Sequence, residues 1–158
     1  MTAPFDPARD LSLTRIIRAP RTTVWRAFAD PRRLEQWWVP APARCRVVAM
    51  ALVPGGGLVT EISEDGGAFV PHMDVCILAA DEAERIVFTD TLTAGFRPSA
   101  QPFMTAILAF RDHPEGTEYA AHVMHRTPAD RDTHLTLGFH DGWGTVAGQL
   151  ARFVEGRD

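Results

Sequence analysis

The stretch Ala19–Trp38, APRTTVWRAFADPRRLEQWW, decides how this chain folds. Trp25 and Phe28 lie three residues apart, and Leu34 repeats that helical spacing with Trp37 or Trp38. Between the two sets, Asp30-Pro31 stops one helix and starts another, with Asp30 as cap and Pro31 at the first helical position. Two short amphipathic helices loaded with large aromatics need a concave apolar surface to cover. The segment therefore reads as part of a lid or grip over a sheet.

Working outward, the rest of the chain supplies that sheet. Leu11, Leu13 and Ile16-Ile17 form a first strand that stops at Arg18-Ala19-Pro20. After the short helices, strands are expected at Cys45–Val53, Leu58–Ile62, Phe69–Ala79, Arg85–Leu92, Phe103–Phe110 and Glu118–His125. Pro54-Gly55-Gly56-Gly57, Asp65-Gly66-Gly67, Asp81–Glu84 and Asp112–Gly116 supply the turns between them. Strands at this spacing with tight turns favour an antiparallel meander.

The last element has another period. Thr127-Pro128-Ala129-Asp130 has the form of a capping box with Asp130 in place of Glu. Leu135, Phe139, Trp143, Val146, Leu150 and Phe153-Val154 then recur at helical spacing, with a break expected near Gly138. Gly138, Gly142, Gly144 and Gly148 fall inside this pattern, each costing about 1 kcal/mol against alanine in a helix interior. Such glycines serve close packing on the sheet, or leave room for something held beneath the helix. The expected architecture is α+β, with six to seven curved antiparallel strands around a long C-terminal helix. Residues 11–155 form one domain after a flexible tail of residues 1–10.

Composition narrows the function. At 158 residues, with 46% apolar and 23% charged residues, the chain suits one soluble domain. A net charge of -4 argues against nucleic acid as partner. All 16 cationic residues are arginine, so no lysine is available for Schiff-base or phosphate-loop chemistry. Cys45 and Cys76 do not form a Cys-x-x-Cys pair, and no apolar run nears membrane-spanning length. A cytoplasmic location with two reduced thiols is the resulting expectation. Ser12, Ser63 and Ser99 are the only serines, and none sits in a nucleophile elbow. No zinc motif is present, and neither a metal nor a cofactor is expected.

The order and spacing of several short motifs resemble the START-like, or SRPBCC, superfamily. Within it they are similar to the branch of the heat-shock-protein-90 ATPase activator homologue. The motifs are Ala19-Pro20, Val24-Trp25-Arg26-Ala27-Phe28, Asp30-Pro31, Leu34–Trp38 and Pro54-Gly55-Gly56. Arg85–Asp90, Pro102–Thr105, Gly138-Phe139 and Gly142-Trp143-Gly144 continue the match. The resemblance implies a helix-grip fold with an internal cavity. It also implies a lipid-, sterol- or polyketide-like ligand, or a cyclase or hydrolase activity. Relatives often follow the tryptophan pair with glycine, whereas this chain has Val39-Pro40 and Pro42, a stiffer exit.

The candidate ligand-binding residues are Trp37, Trp38, Asp74, Phe88, Asp90, Met104, Leu108, His125, Phe139 and Trp143. Helical phase turns one of the tryptophan pair into the core and the other toward the cavity mouth. His72 and Asp74 share a strand face by the period of two, as do Asp90, Phe88 and Ile86. On a concave apolar face Asp90 would titrate high, whereas at a strand end it caps a turn. His122 and His125 point to opposite faces, with His125 on the more apolar one. Asp90, His125 and His72 are the acid–base candidates if the chain is an enzyme. The leading expectation is binding of a small hydrophobic molecule by a monomer or weak homodimer. Catalysis and a chaperone-linked interaction module are the alternatives.

Overall fold

The computed structural model describes residues 4–156. Strand β1 (Asp10–Ile17) ends where Pro20 enters helix α1 (Arg21–Ala29). The Asp30 carboxylate accepts from the Arg32 backbone N–H at 2.9 Å and starts the one-turn helix α2 (Pro31–Leu34). Thr23, Val24, Ala27 and Phe28 form the buried stripe of α1, and Leu34 anchors α2. The chain keeps turning after α2, with the amides of Trp37 and Trp38 both bonded to the Leu34 carbonyl.

Six strands follow: β2 (Arg44–Met50), β3 (Gly57–Ser63), β4 (Val70–Asp81), β5 (Arg85–Thr89), β8 (Met104–His113) and β9 (Gly116–His125). A two-stranded hairpin, β6 (Leu92–Thr93) with β7 (Arg97–Pro98), branches off between β5 and β8. The large sheet has seven antiparallel strands in the order β1-β9-β8-β5-β4-β3-β2. It is a meander closed by the first strand returning beside the last. Register shifts interrupt the β2–β3, β3–β4 and β4–β5 ladders. Such bulges bend a strand and increase its local twist, which curves this half of the sheet.

The helical region divides as the sequence suggested. Thr127 caps α3 (Pro128–Thr136), its hydroxyl accepting from the Asp130 N–H at 3.1 Å. Asp130 itself reaches Arg126 at 3.1 Å. Gly138 has φ 94°, a left-handed conformation that favours glycine, and there the chain turns into α4 (Phe139–Val154). Phe139, Ala147, Leu150, Ala151 and Val154 bury the inner face of α4 in the same core as Phe28, Trp37, Phe88 and Phe110.

The first strand starts one residue before the expected domain boundary, because Asp10 is held inside the fold. It is 4% exposed, and its carboxylate meets His122 Nε2 at 2.8 Å and the Asp6 amide at 2.9 Å. Phe5 packs on His122, with ring centroids 5.3 Å apart.

Candidate functional site

Between the concave face and α4 lies a cavity of about 290 Å³. Met73 from β4, Phe88 from β5, Met104 and Leu108 from β8, and Tyr119 from β9 form its floor. Gly142, Trp143, Val146 and Ala147 from α4 roof it, and Trp38-Val39-Pro40 closes one side. Strand alternation explains the floor, since inward residues recur at every second position.

The tryptophan pair divides its roles. Trp37 is 1% exposed, stacks edge-on against Phe28 at 4.6 Å and donates its indole N–H to the Ala27 carbonyl at 3.2 Å. Trp38 lines the cavity, and its indole N–H is buried without a hydrogen-bond partner among the described residues. The proline-rich exit is held by Gln149 of α4. Its side-chain amide donates to the carbonyls of Trp37 at 3.0 Å and Val39 at 2.7 Å, and its oxygen accepts from the Ala41 N–H at 2.7 Å. A stiff exit tied to the roof helix makes a fixed wall.

Of the ten candidate residues, Trp38, Phe88, Met104, Leu108 and Trp143 line this cavity, whereas Trp37, Asp74, Asp90, His125 and Phe139 do not. Trp37 and Phe139 are packed in the core, each 1% exposed. His72 and Asp74 do not share a face. A bulge leaves His72 unpaired between Met73, opposite Thr60, and Pro71, opposite Glu61. The break in alternation brings His72, itself partly open to solvent, to the cavity wall, with Nδ1 3.0 Å from the Thr60 hydroxyl, and leaves Asp74 outside it. Burial of its ring lowers the pKa of His72, opposed by the charge of Glu64.

Asp90 caps a turn. One carboxylate oxygen accepts from the amides of Phe103 at 2.8 Å and Met104 at 2.9 Å, which fixes the entry to β8. His125 faces inward as its phase requires and is 7% exposed, but it is occupied elsewhere. Nδ1 lies 2.8 Å from the Arg9 carbonyl and Nε2 lies 2.9 Å from His134 Nδ1. His125 borders a second hollow, of about 360 Å³, around Phe103 and Met124. His134 is a contact that sequence spacing missed, because it comes from another element.

Val39, Pro40, Met73, Val146 and Ala147 also line the cavity without having been candidate site residues, and so do Tyr119 and Gly142. For the last two the signals were present: an inward phase shared with Val123, and a glycine within a helical pattern. A Cβ built on Gly142 meets no atom within 4 Å, so this glycine borders open space. Gly148 differs, since Arg152 and Arg15 lie 3.6 and 3.7 Å from such a Cβ.

The titratable groups in the cavity wall are therefore His72 and Tyr119, with no carboxylate and no guanidinium. Burial raises the phenol pKa of Tyr119, so both groups are uncharged at neutral pH. They stand on β4 and β9, three strand spacings apart, or roughly 14 Å along the sheet. Among the described residues, no group of three or more His, Cys, Asp or Glu side chains could hold a metal ion. No helix there is long and apolar enough to cross a membrane.

Comparison with known proteins fits this geometry. The family described as "Activator of Hsp90 ATPase homolog 1-like protein" matches residues 18–155. The chain belongs to this family. Among solved structures of this fold, a protein of Nitrosomonas europaea is 35% identical. It superposes with a TM-score of 0.87, over 96% of this chain and 97% of that one. A Mycobacterium smegmatis protein is 24% identical with a TM-score of 0.80, over 100% and 99% of the two chains. An Aeromonas hydrophila protein of the same family name is 18% identical with a TM-score of 0.66, over 92% of each chain. No functionally curated protein matches this chain. Members of this family share the SRPBCC fold, which is typical of ligand-binding domains.

Proposed function

We propose that this protein binds a small, neutral, hydrophobic molecule between its sheet and α4. One observation carries the reading: a cavity of about 290 Å³ with a mainly apolar wall that contains no carboxylate and no guanidinium. The volume lies at the lower end of the roughly 300–1,000 Å³ usual for small-molecule pockets. A carboxylate or ammonium buried there would find no counter-charge, and an unpaired buried charge is strongly disfavoured. The carrier is read as cytoplasmic, monomeric or weakly dimeric, and free of cofactor.

A cyclase or hydrolase reading keeps only His72 of its three acid–base candidates, since Asp90 and His125 are bonded outside the cavity. The test is native mass spectrometry of protein purified from its own host. A lipophilic adduct lost on substitution of Trp38 is expected. Protein that carries no adduct and takes up no apolar molecule on titration would sink the reading.

A further inference from the structure

If a small molecule occupies the cavity, as proposed above, two donors in the wall still lack a partner, the Trp38 indole N–H and the Tyr119 hydroxyl. Tyr119 is the only tyrosine of the chain, sits on the inner face of β9 and is 5% exposed. Its ring is held by Phe110 at 5.8 Å and Phe28 at 6.0 Å. None of the described residues hydrogen-bonds its hydroxyl, and burial alone shifts its titration. Neighbouring buried polar groups are matched: Thr117 donates to the Ala19 carbonyl at 2.7 Å and Thr89 to the Met104 carbonyl at 2.9 Å. A tyrosine hydroxyl on an otherwise apolar pocket wall usually finds a partner, and a ligand that enters the pocket can supply it.

We infer that the cavity selects a ligand with an uncharged oxygen acceptor (a ketone, ester or amide carbonyl) set against the Tyr119 hydroxyl. The remainder of that ligand is an apolar body lying over Leu108, Phe88 and Met104. A phenol gives its proton more readily than it lends its lone pair, which is partly delocalised into the ring. The matching ligand group is therefore an acceptor. A carboxylate would be an acceptor too, but no cation lines the cavity to balance it. His72, three strands away and bonded to Thr60, does not compete for the same ligand atom.

The test uses 2-nonanone and nonane, which differ by a carbonyl in place of a methylene. Each is titrated into the full chain and into Tyr119→Phe, following the fluorescence of Trp38 and Trp143 in the cavity wall. The variant keeps the ring and its contacts. Loss of one hydrogen bond is expected to weaken ketone binding about 2- to 12-fold and leave nonane unchanged. The melting temperature of Tyr119→Phe should equal or exceed that of the parent, because no protein hydrogen bond is removed. Ketone affinity that does not fall, or that falls equally with nonane, would overturn the acceptor inference and leave hydrophobic binding standing. A parent that binds neither compound would overturn the binding reading and this inference with it.

Discussion

His125 Nε2 and His134 Nδ1 lie 2.9 Å apart, joining the end of β9 to α3. The Arg9 carbonyl can only accept, so His125 Nδ1 carries a proton toward it at 2.8 Å. In the neutral ring, His125 Nε2 then accepts from the Nδ1–H of His134. A third proton on the pair, at His134 Nε2, would put a charge among Phe103, Phe139 and Trp143, whose rings pack on His134.

This pair sets a pH dependence. Burial, with a smaller contribution from His125, lowers the pKa of His134 from 6.5 to about 4. The unfolded chain therefore binds this proton more readily than the folded one. Stability is expected to be level above pH 6.5, to fall as pH drops toward 4, and to level again below it. The loss is on the order of 2 kcal/mol. His72 contributes in the same direction, so the parent is compared with His134→Phe in urea denaturation at pH 7 and pH 5. A variant whose stability falls between these pH values as much as the parent's would exclude His134 as the source.

Gly142 separates stability from binding. Nothing lies within 4 Å of an added Cβ, so Gly142→Ala should raise stability by about 1 kcal/mol through helix propensity alone. Gly142→Leu would occupy the cavity and should weaken nonane binding at least tenfold while the protein stays folded. Thermal melts and tryptophan fluorescence titrations check both outcomes. Unchanged binding by the leucine variant would show that apolar ligands go elsewhere.

The two adjacent tryptophans should respond differently. Trp37→Ala removes a fully packed ring and its hydrogen bond to Ala27, and should cost about 3–5 kcal/mol in denaturant melts. Trp38→Ala should leave a folded protein that binds nonane at least tenfold more weakly. Unfolding of the Trp38 variant, or binding as tight as that of the parent, counts against a ligand-facing Trp38.

Asp90 should behave as a structural residue. Asp90→Ala leaves the amides of Phe103 and Met104 without their acceptor and should cost about 1–3 kcal/mol. Asp90→Asn keeps a carbonyl oxygen for those amides and should recover part of that loss. Circular dichroism melts of the three proteins give the comparison. Equal losses in both variants would mean that the carboxylate's charge, and not its role as acceptor, matters.

The architecture was legible because it follows from local periods. Asp30-Pro31 and Thr127-Pro128 act within one turn of their own positions, and strand alternation repeats every two residues whatever the neighbours are. Even the division between Trp37 and Trp38 was foreseeable, since consecutive residues on a helical turn point about 100° apart. The assignment of core to Trp37 and cavity to Trp38 was not, because it depends on where Phe28 and α4 stand.

The site depended on long-range geometry. His72 left the face it should share with Asp74 because of one bulge opposite Thr60, and its one local sign is the neighbouring Pro71, a residue that central strands accept at bulges or strand ends. His125 met His134 across two elements, and Asp90 met two amides thirteen and fourteen residues away. The sequence by itself determined the seven strands of the large sheet (though not the small β6–β7 hairpin), the helices, their order and the inward phase of Phe88, Leu108 and Tyr119, all consequences of backbone geometry over a few residues. Only the tertiary structure decided which inward side chains meet open space and which are filled against or bonded to a neighbour. That outcome rests on sheet curvature and on the height of α4 above the sheet, which no short stretch of chain encodes.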